Sequence, residues 1–221
     1  MNIAIADTET IGLWPKHVYD FGYIIQDRKG NTLIERSHLV EEIVTDAKKM
    51  MGAFYAGKIF SHYLPLVDAG MIDIRPFNYI YDEFLQDCAD YNIDIFAAYN
   101  LGFDLRALRE TKRFLGYKNF IKQNYKLLDI WQFACEVLLN RPTYKKLADQ
   151  QGWISPAGNY RTNAEVTHRY ISGNVEGVEA HTALCDARLE GEILNKCFQQ
   201  HKKIPYGKID KSPWRIVNGN S

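Results

Sequence analysis

The chain has no excess of charge of either sign: 27 Lys and Arg side chains stand against 27 Asp and Glu among its 221 residues. A neutral chain does not hold a polyanion by bulk attraction, so any grip on nucleic acid has to come from a local patch or a bound cation. No uninterrupted apolar run approaches the roughly 18 residues of a transmembrane helix. The opening MNIAIADTET has no basic stretch and reaches an acid by residue 7, unlike a signal peptide. Cysteine is scarce. Cys88, Cys135, Cys185 and Cys197 form no C-x-x-C pair and no zinc-ligand spacing, so zinc chemistry has no ligand set. On one helix Cys185 and Cys197 would stand about 18 Å apart, too far for a disulfide. A reducing, cytoplasmic setting without a membrane partner is the expectation. Internal repeats and low-complexity segments are also missing. What remains is the profile of a soluble globular domain, 46% apolar and 24% charged, long enough to bury a sizeable core.

Several segments declare their secondary structure. Residues 1–6 read as a buried strand ending at an acid. Residues 17–26 (HVYDFGYIIQ) and 32–40 read as two further strands joined by the turn residues Asp27-Arg28-Lys29-Gly30-Asn31, a hairpin. Residues 41–63 are expected to be helical, weakened by Gly52 and Gly57. Tyr79, Ile80, Phe84, Leu85 and Cys88 have helical spacing. IDIFAAY (93–99) is a short apolar run of the kind found in buried parallel strands. A helix over 104–115 closed by Gly116, a strand over 126–130, helices over 131–139 and 143–151, a polar loop over 155–163 and a long helix from about 182 to 200 complete the order. A hairpin meander followed by alternating strand and helix predicts an α/β fold, a mixed sheet with helices on its faces.

Charge is segregated along this order. Residues 105–126 carry Arg106, Arg109, Lys112, Arg113, Lys118, Lys122 and Lys126 against Glu110 alone. Residues 196–215 are also basic, whereas 68–94 are acidic. Such runs are either solvated helix faces or a wall for a phosphate backbone. Phe114, Tyr117, Phe120 and Tyr125, interleaved with the first run, are candidates for base stacking or for the core.

Three clusters carry chemistry. Asp7 and Glu9, at i and i+2 of a strand end, share a side and repel each other unless a cation lies between them. Mg²⁺ or a similar oxygen-seeking divalent ion meets that need. In Asn100-Leu101-Gly102-Phe103-Asp104 a buried strand runs through a turn to an acid in the first turn of a helix, where it complements the helix dipole. The C-terminal ends of parallel strands are also where open sheets place ligands. In His181-Thr182-Ala183-Leu184-Cys185-Asp186-Ala187, Asp186 sits among small and apolar neighbours and needs a partner. On one helix His181 and Asp186 would be about 140° apart. They serve one site only if His181 precedes the helix.

Taken together, the three clusters resemble the motifs of the DEDDh, DnaQ-like 3′–5′ exonucleases of the ribonuclease H-like fold. Asp-x-Glu-Thr-x-Gly-Leu corresponds to residues 7–13, Asn-x-x-Phe-Asp to 100–104 and His-x-Ala-x-x-Asp-Ala to 181–187, in the family's order. Ile11 and Tyr99 depart from common family choices, at positions that do not bind metal. The resemblance implies a ribonuclease H-like mixed sheet, an antiparallel meander plus parallel strands with helices on both faces. It divides the chain into a domain over 1–200 and a basic C-terminal tail over 201–221.

The same resemblance implies that Asp7, Glu9, Asp104 and Asp186 hold two Mg²⁺ or Mn²⁺ ions and that His181 is the general base. An imidazole, mostly neutral at physiological pH, suits that role. Thr10, Leu13, Asn100 and Phe103 would contact substrate. The implied activity is metal-dependent 3′–5′ hydrolysis of a single-stranded DNA or RNA 3′ end to nucleoside 5′-monophosphates. A homodimer and association with a polymerase are both compatible with it. An endonuclease of the same fold and an inactive nucleic-acid-binding relative are the alternatives.

Overall fold

The computed structural model describes residues 1–51, 59–117, 125–175 and 182–219. Six strands form one mixed sheet: β1 (Asn2–Thr10), β2 (Val18–Asp27), β3 (Thr32–Val40), β4 (Asp73–Arg75), β5 (Ile93–Ala98) and β6 (Lys126–Asp129), in the order β4-β3-β2-β1-β5-β6. The first three strands are antiparallel, while β4, β5 and β6 run parallel to β3, β1 and β5. The main helices are α1 (Phe77–Asp90), α2 (Leu101–Phe114), α3 (Ile130–Ala134), α4 (Pro142–Gln151), α5 (Ala164–Ser172), α6 (Ala183–Phe198) and α7 (Trp214–Asn218).

Side-chain alternation along β1 sorts these helices onto the two faces. Ala4 and Ala6 point into a core with Phe21, Tyr23, Phe84 and Ala107, built by α1 and α2. Ile3 and Ile5 point into a second core with Ile24, Phe133, Ile193 and Leu194, built by α3 and α6. The expected mixed sheet with helices on both faces is what forms. Among the described residues no helix is long and apolar enough to cross a membrane. All four cysteines are free thiols.

Several boundaries differ from the sequence expectation. β1 runs on to Thr10 instead of stopping at Ala6, because β2 keeps pairing with it through Asp7↔Gly22, Thr8↔Phe21 and Glu9↔Asp20. Helix α2 starts at Leu101, three residues early, since Asn100 takes a left-handed conformation (φ 66°) that turns the chain directly out of β5. The helix expected over 41–63 is a series of short turns: 41–44, 47–51 and a π-helical turn at Ile59–Tyr63; residues 52–58 lie outside the described part. Strand β4, three exposed residues at the sheet edge, is too short to leave a periodicity. Helix α5, with β-branched residues inside it, gave no clear signal either. Residues 201–219 lie against the domain. Gly207 N donates to Leu127 O at 2.8 Å, Lys208 pairs with Glu136 at 2.7 Å and Val217 is fully buried.

The seat of α6 is set by a glycine. A Cβ at Gly22 would lie 2.1 Å from Leu184 N and 2.4 Å from the carbonyl carbon of Ala183, both backbone atoms. The first turn of α6 therefore rests on the bare backbone of β2. Gly22→Ala should cost about 1–3 kcal/mol or more, because the atoms met cannot rotate away. Urea denaturation should show the midpoint falling with the slope unchanged. A midpoint equal to wild type would mean that α6 does not need this approach.

Candidate metal centre

Asp7 and Glu9 continue the face of β1 that Ile3 and Ile5 begin, so they point toward α6. That helix opens at Ala183. Thr182 caps it, its hydroxyl accepting from Cys185 N at 3.4 Å, and Asp186 falls in the first turn. One carboxylate oxygen from each of Asp7, Glu9 and Asp186 lies within 4.8 Å of the other two. All three side chains are half-buried. Two of the three sequence motifs thus meet where β1 emerges from under α6.

The second motif arrives from the other side of the sheet. β5 pairs with β1 only as far as Ile5↔Ala97, so β1 outruns it. Asp104, from the first turn of α2, fills the vacated edge. Its Oδ1 accepts from Thr8 Oγ1 at 2.7 Å, and the Thr8 backbone bonds the same carboxyl. Only 2% of Asp104 is exposed, and it does not belong to the close triad.

Two further acids lie deeper. Glu190, one turn beyond Asp186 on the same face of α6, is buried, and its Oε2 accepts from Tyr99 N at 3.0 Å. Asp129, fully buried at the end of β6, caps α3 by accepting from Gln132 N at 3.1 Å. Its Oδ2 has no hydrogen-bond partner. Neither belongs to the three motifs, although Asp186 and Glu190 have i, i+4 spacing and Asp129 follows a short apolar run as Asp7 does.

The electrostatics follow from this crowding. Asp7 is held well above the usual carboxylate range, first by burial and then by repulsion from Glu190, Asp104, Asp186 and Glu9. Glu190 is raised likewise, by burial and by Asp104, against the opposing Tyr99 hydrogen bond. Burial pushes Asp104 up to about 7 despite the Thr8 bonds, and Asp129 up to about 6. Carboxylates brought this close remain ionised only beside positive charge. An all-oxygen donor set with this spacing fits a hard divalent cation and does not fit zinc, which favours sulfur and nitrogen.

The remaining expected residues fall as follows. Thr10 Oγ1 donates to Gly12 O at 3.0 Å. Leu13 is 77% exposed and Trp14 82%, an apolar step just past the triad. Lys16 Nζ stands 5.5 Å from the Phe103 ring and 5.4 Å from Trp14, and bonds Leu13 O. Phe103 is half-buried, and Asn100 serves locally through its left-handed backbone. His181 lies outside the described residues, as do Lys118, Phe120 and Lys122. In the basic run, Arg106, Arg109 and Arg113 are exposed on one stripe of α2. Lys112 is buried, its ammonium 4.2 Å from the Tyr81 ring, so it does not share that exposed stripe. Of the aromatics, Tyr125 packs on Phe96 in the core and Phe114 stacks on His17 at 4.1 Å.

No protein-family profile and no curated protein matches the chain. Among solved structures it is similar to exonuclease X in complex with 5′-overhanging duplex DNA, at a TM-score of 0.52 and 17% identity, over 89% of this chain and 91% of that one. At that identity the likeness is one of fold alone, a mixed sheet with helices on both faces.

The raised carboxyl groups fix the sign of a pH effect. An Asp that titrates near 3.9 when unfolded and at about 6 or 7 when folded binds its proton more tightly in the folded state. The stability it contributes is complete below the unfolded value and lost as pH rises through the folded one. In EDTA the melting temperature should therefore fall between about pH 4 and pH 8. Mg²⁺ or Mn²⁺ should restore more stability at the alkaline end, where the acids are ionised. A melting temperature that climbs over this range in EDTA would contradict the assigned cost of burying these acids.

Proposed function

We propose that the protein is a metal-dependent 3′–5′ exonuclease of the DEDDh type, acting on single-stranded nucleic acid and releasing nucleoside 5′-monophosphates. The observation that carries this reading is the convergence of Asp7, Glu9 and Asp186 within 4.8 Å, with Asp104 beside them. The fold shared with exonuclease X and the order of the three motifs support it. Two Mg²⁺ or Mn²⁺ ions bound there would stabilise charge on the attacking and leaving oxygens of the phosphodiester.

The chain's own residues divide the work. Asp7, central among the acids, would reach both ions. Glu9 and Asp186 would hold the first, and Asp104, engaged by Thr8, would support the second through water. His181, in the segment just before α6, takes the proton of the attacking water. Leu13 offers an apolar edge to the terminal base, with Thr10 and Phe103 flanking it and Asn100 shaping the turn that carries Phe103 and Asp104. An apolar residue there gives a continuing phosphate nothing to bind, which favours a free end over a chain passing through. Arg106, Arg109 and Arg113 lie where a strand leaving the site along α2 would run.

Three measurements test this. Linear single strands should be shortened from the 3′ end with Mg²⁺ or Mn²⁺ and not in EDTA, while covalently closed circles survive; cutting of circles at a comparable rate would assign an endonuclease instead. His181→Ala should lower kcat by about 10²–10⁴ while leaving Mn²⁺ binding in place, whereas Asp7→Ala should lose both. Near-wild-type turnover in His181→Ala would remove the base assignment. Neutralising Arg109 and Arg113 should flatten the log–log salt dependence of single-strand binding by about 0.7 per lost contact. Lys112→Met should leave that slope alone; an unchanged slope in the double Arg variant would return α2 to a solvated face.

A further inference from the structure

A side chain outside all three motifs bonds the helix that carries Asp186. Asp20 on β2 is fully buried, directly across the ladder from Glu9 and two residues before Gly22 on the same face. Its Oδ2 accepts two hydrogen bonds, from Tyr63 Oη at 2.7 Å and from the backbone N of Ala183 at 2.9 Å. Its Oδ1 has no hydrogen-bond partner. Ala183 is the first residue of α6, and its N–H is one of those the helix cannot satisfy internally. Thr182 caps the N–H of Cys185 and leaves that of Ala183 to Asp20. Tyr63, itself buried at the end of the π-helical turn, donates to the same oxygen.

We propose that Asp20 is the positioning residue that sets the first turn of α6 and thereby places Asp186 against Asp7 and Glu9. Gly22 decides how closely α6 approaches β2. It offers no directional contact, so it leaves the helix free to slide or turn along the strand. A hydrogen bond to the first amide of α6 removes that freedom, and Asp186 follows Ala183 within a single turn. Burying a carboxylate for this purpose is costly, and burial raises its pKa to about 6. The compensation is two strong bonds of fixed direction.

The inference rests on the reading of Asp7, Glu9 and Asp186 as a cation site, and the test separates the two. Mn²⁺ affinity would be measured by titration calorimetry on the full chain, and protection of the Ala183 amide by NMR hydrogen exchange. Asp20→Ala should expose that amide to exchange and weaken Mn²⁺ binding about tenfold or more. Asp20→Asn keeps a carbonyl oxygen for both donors and should retain amide protection and affinity close to wild type. Tyr63→Phe, which removes only a hydroxyl, should weaken Mn²⁺ binding less than Asp20→Ala and decides the matter if the alanine variant fails to fold. Ile80→Val, in the core on the far face of the sheet, controls for general loss of stability. Wild-type Mn²⁺ affinity in Asp20→Ala, or in Tyr63→Phe if the alanine variant does not fold, overturns the positioning role while leaving the metal site standing. An equal loss in Asp20→Asn and Asp20→Ala would show that the charge matters and the acceptor does not, which also overturns it. A wild-type protein that binds no Mn²⁺ would remove the cation site itself.

Discussion

Helix α6 lies directly on the backbone of β2, and the rest of the molecule is arranged around that contact. The helix can come this close because residue 22 has no side chain, and the approach is what brings Asp186 beside Asp7 and Glu9. The close seat has a second consequence. Glu190, one turn along, is pushed into the interior beside the same acids, where the Tyr99 amide receives it. A looser helix would leave both acids in water, where they would ionise freely and repel little.

The acids at this end of the sheet oppose the fold that gathers them. Burial and mutual repulsion hold Asp7, Glu190 and Asp104 above their ordinary range. Each would be more comfortable apart and hydrated. Their positions are enforced from outside the cluster: by the β1–β2 ladder, by Thr8 on Asp104, by the Asp129 cap on α3 and by the hydrophobic cores on the two faces of the sheet. A site strained in this way is poised for a cation, because the ion relieves several unfavourable interactions at once. On the proposed reading, a cation held there would let a chain of zero net charge meet a phosphodiester without a basic surface throughout.

The elements around the centre differ in how they serve it. β1 and β5 end at different heights, and the step between them makes room for Asp104. Asn100 turns the chain within a single left-handed residue, so α2 starts early enough for Asp104 to reach that step. The exposed Leu13 and Trp14 lie just past the strand end, on the approach to the triad. The exposed arginines of α2 carry positive charge away along the helix, while Lys112 among them spends its charge on Tyr81.

The sequence by itself determined the order of the longer strands and helices (though not β4, α5 or α7), the hairpin, and the placing of Asp7, Glu9, Asp104 and Asp186 near the ends of elements, because alternation, turn residues and helix starts are local properties of the chain. The length of β1 was not legible, since DTET looks like a strand end until β2 is seen to pair with it. The segment over 41–63 reads as one helix by composition and is broken up in the fold. Lys112 and its neighbouring arginines are indistinguishable as residues, and only packing against Tyr81 separates them. In the sequence Glu190, Asp129 and Asp20 belong to none of the three motifs, and spacing alone does not show that they are buried. Burial, and the neighbours that burial gives them, made them part of the site. The desolvation that raises their pKa values, and the repulsion added to it at Glu190, depend on distances between residues far apart in the chain, which the sequence does not give.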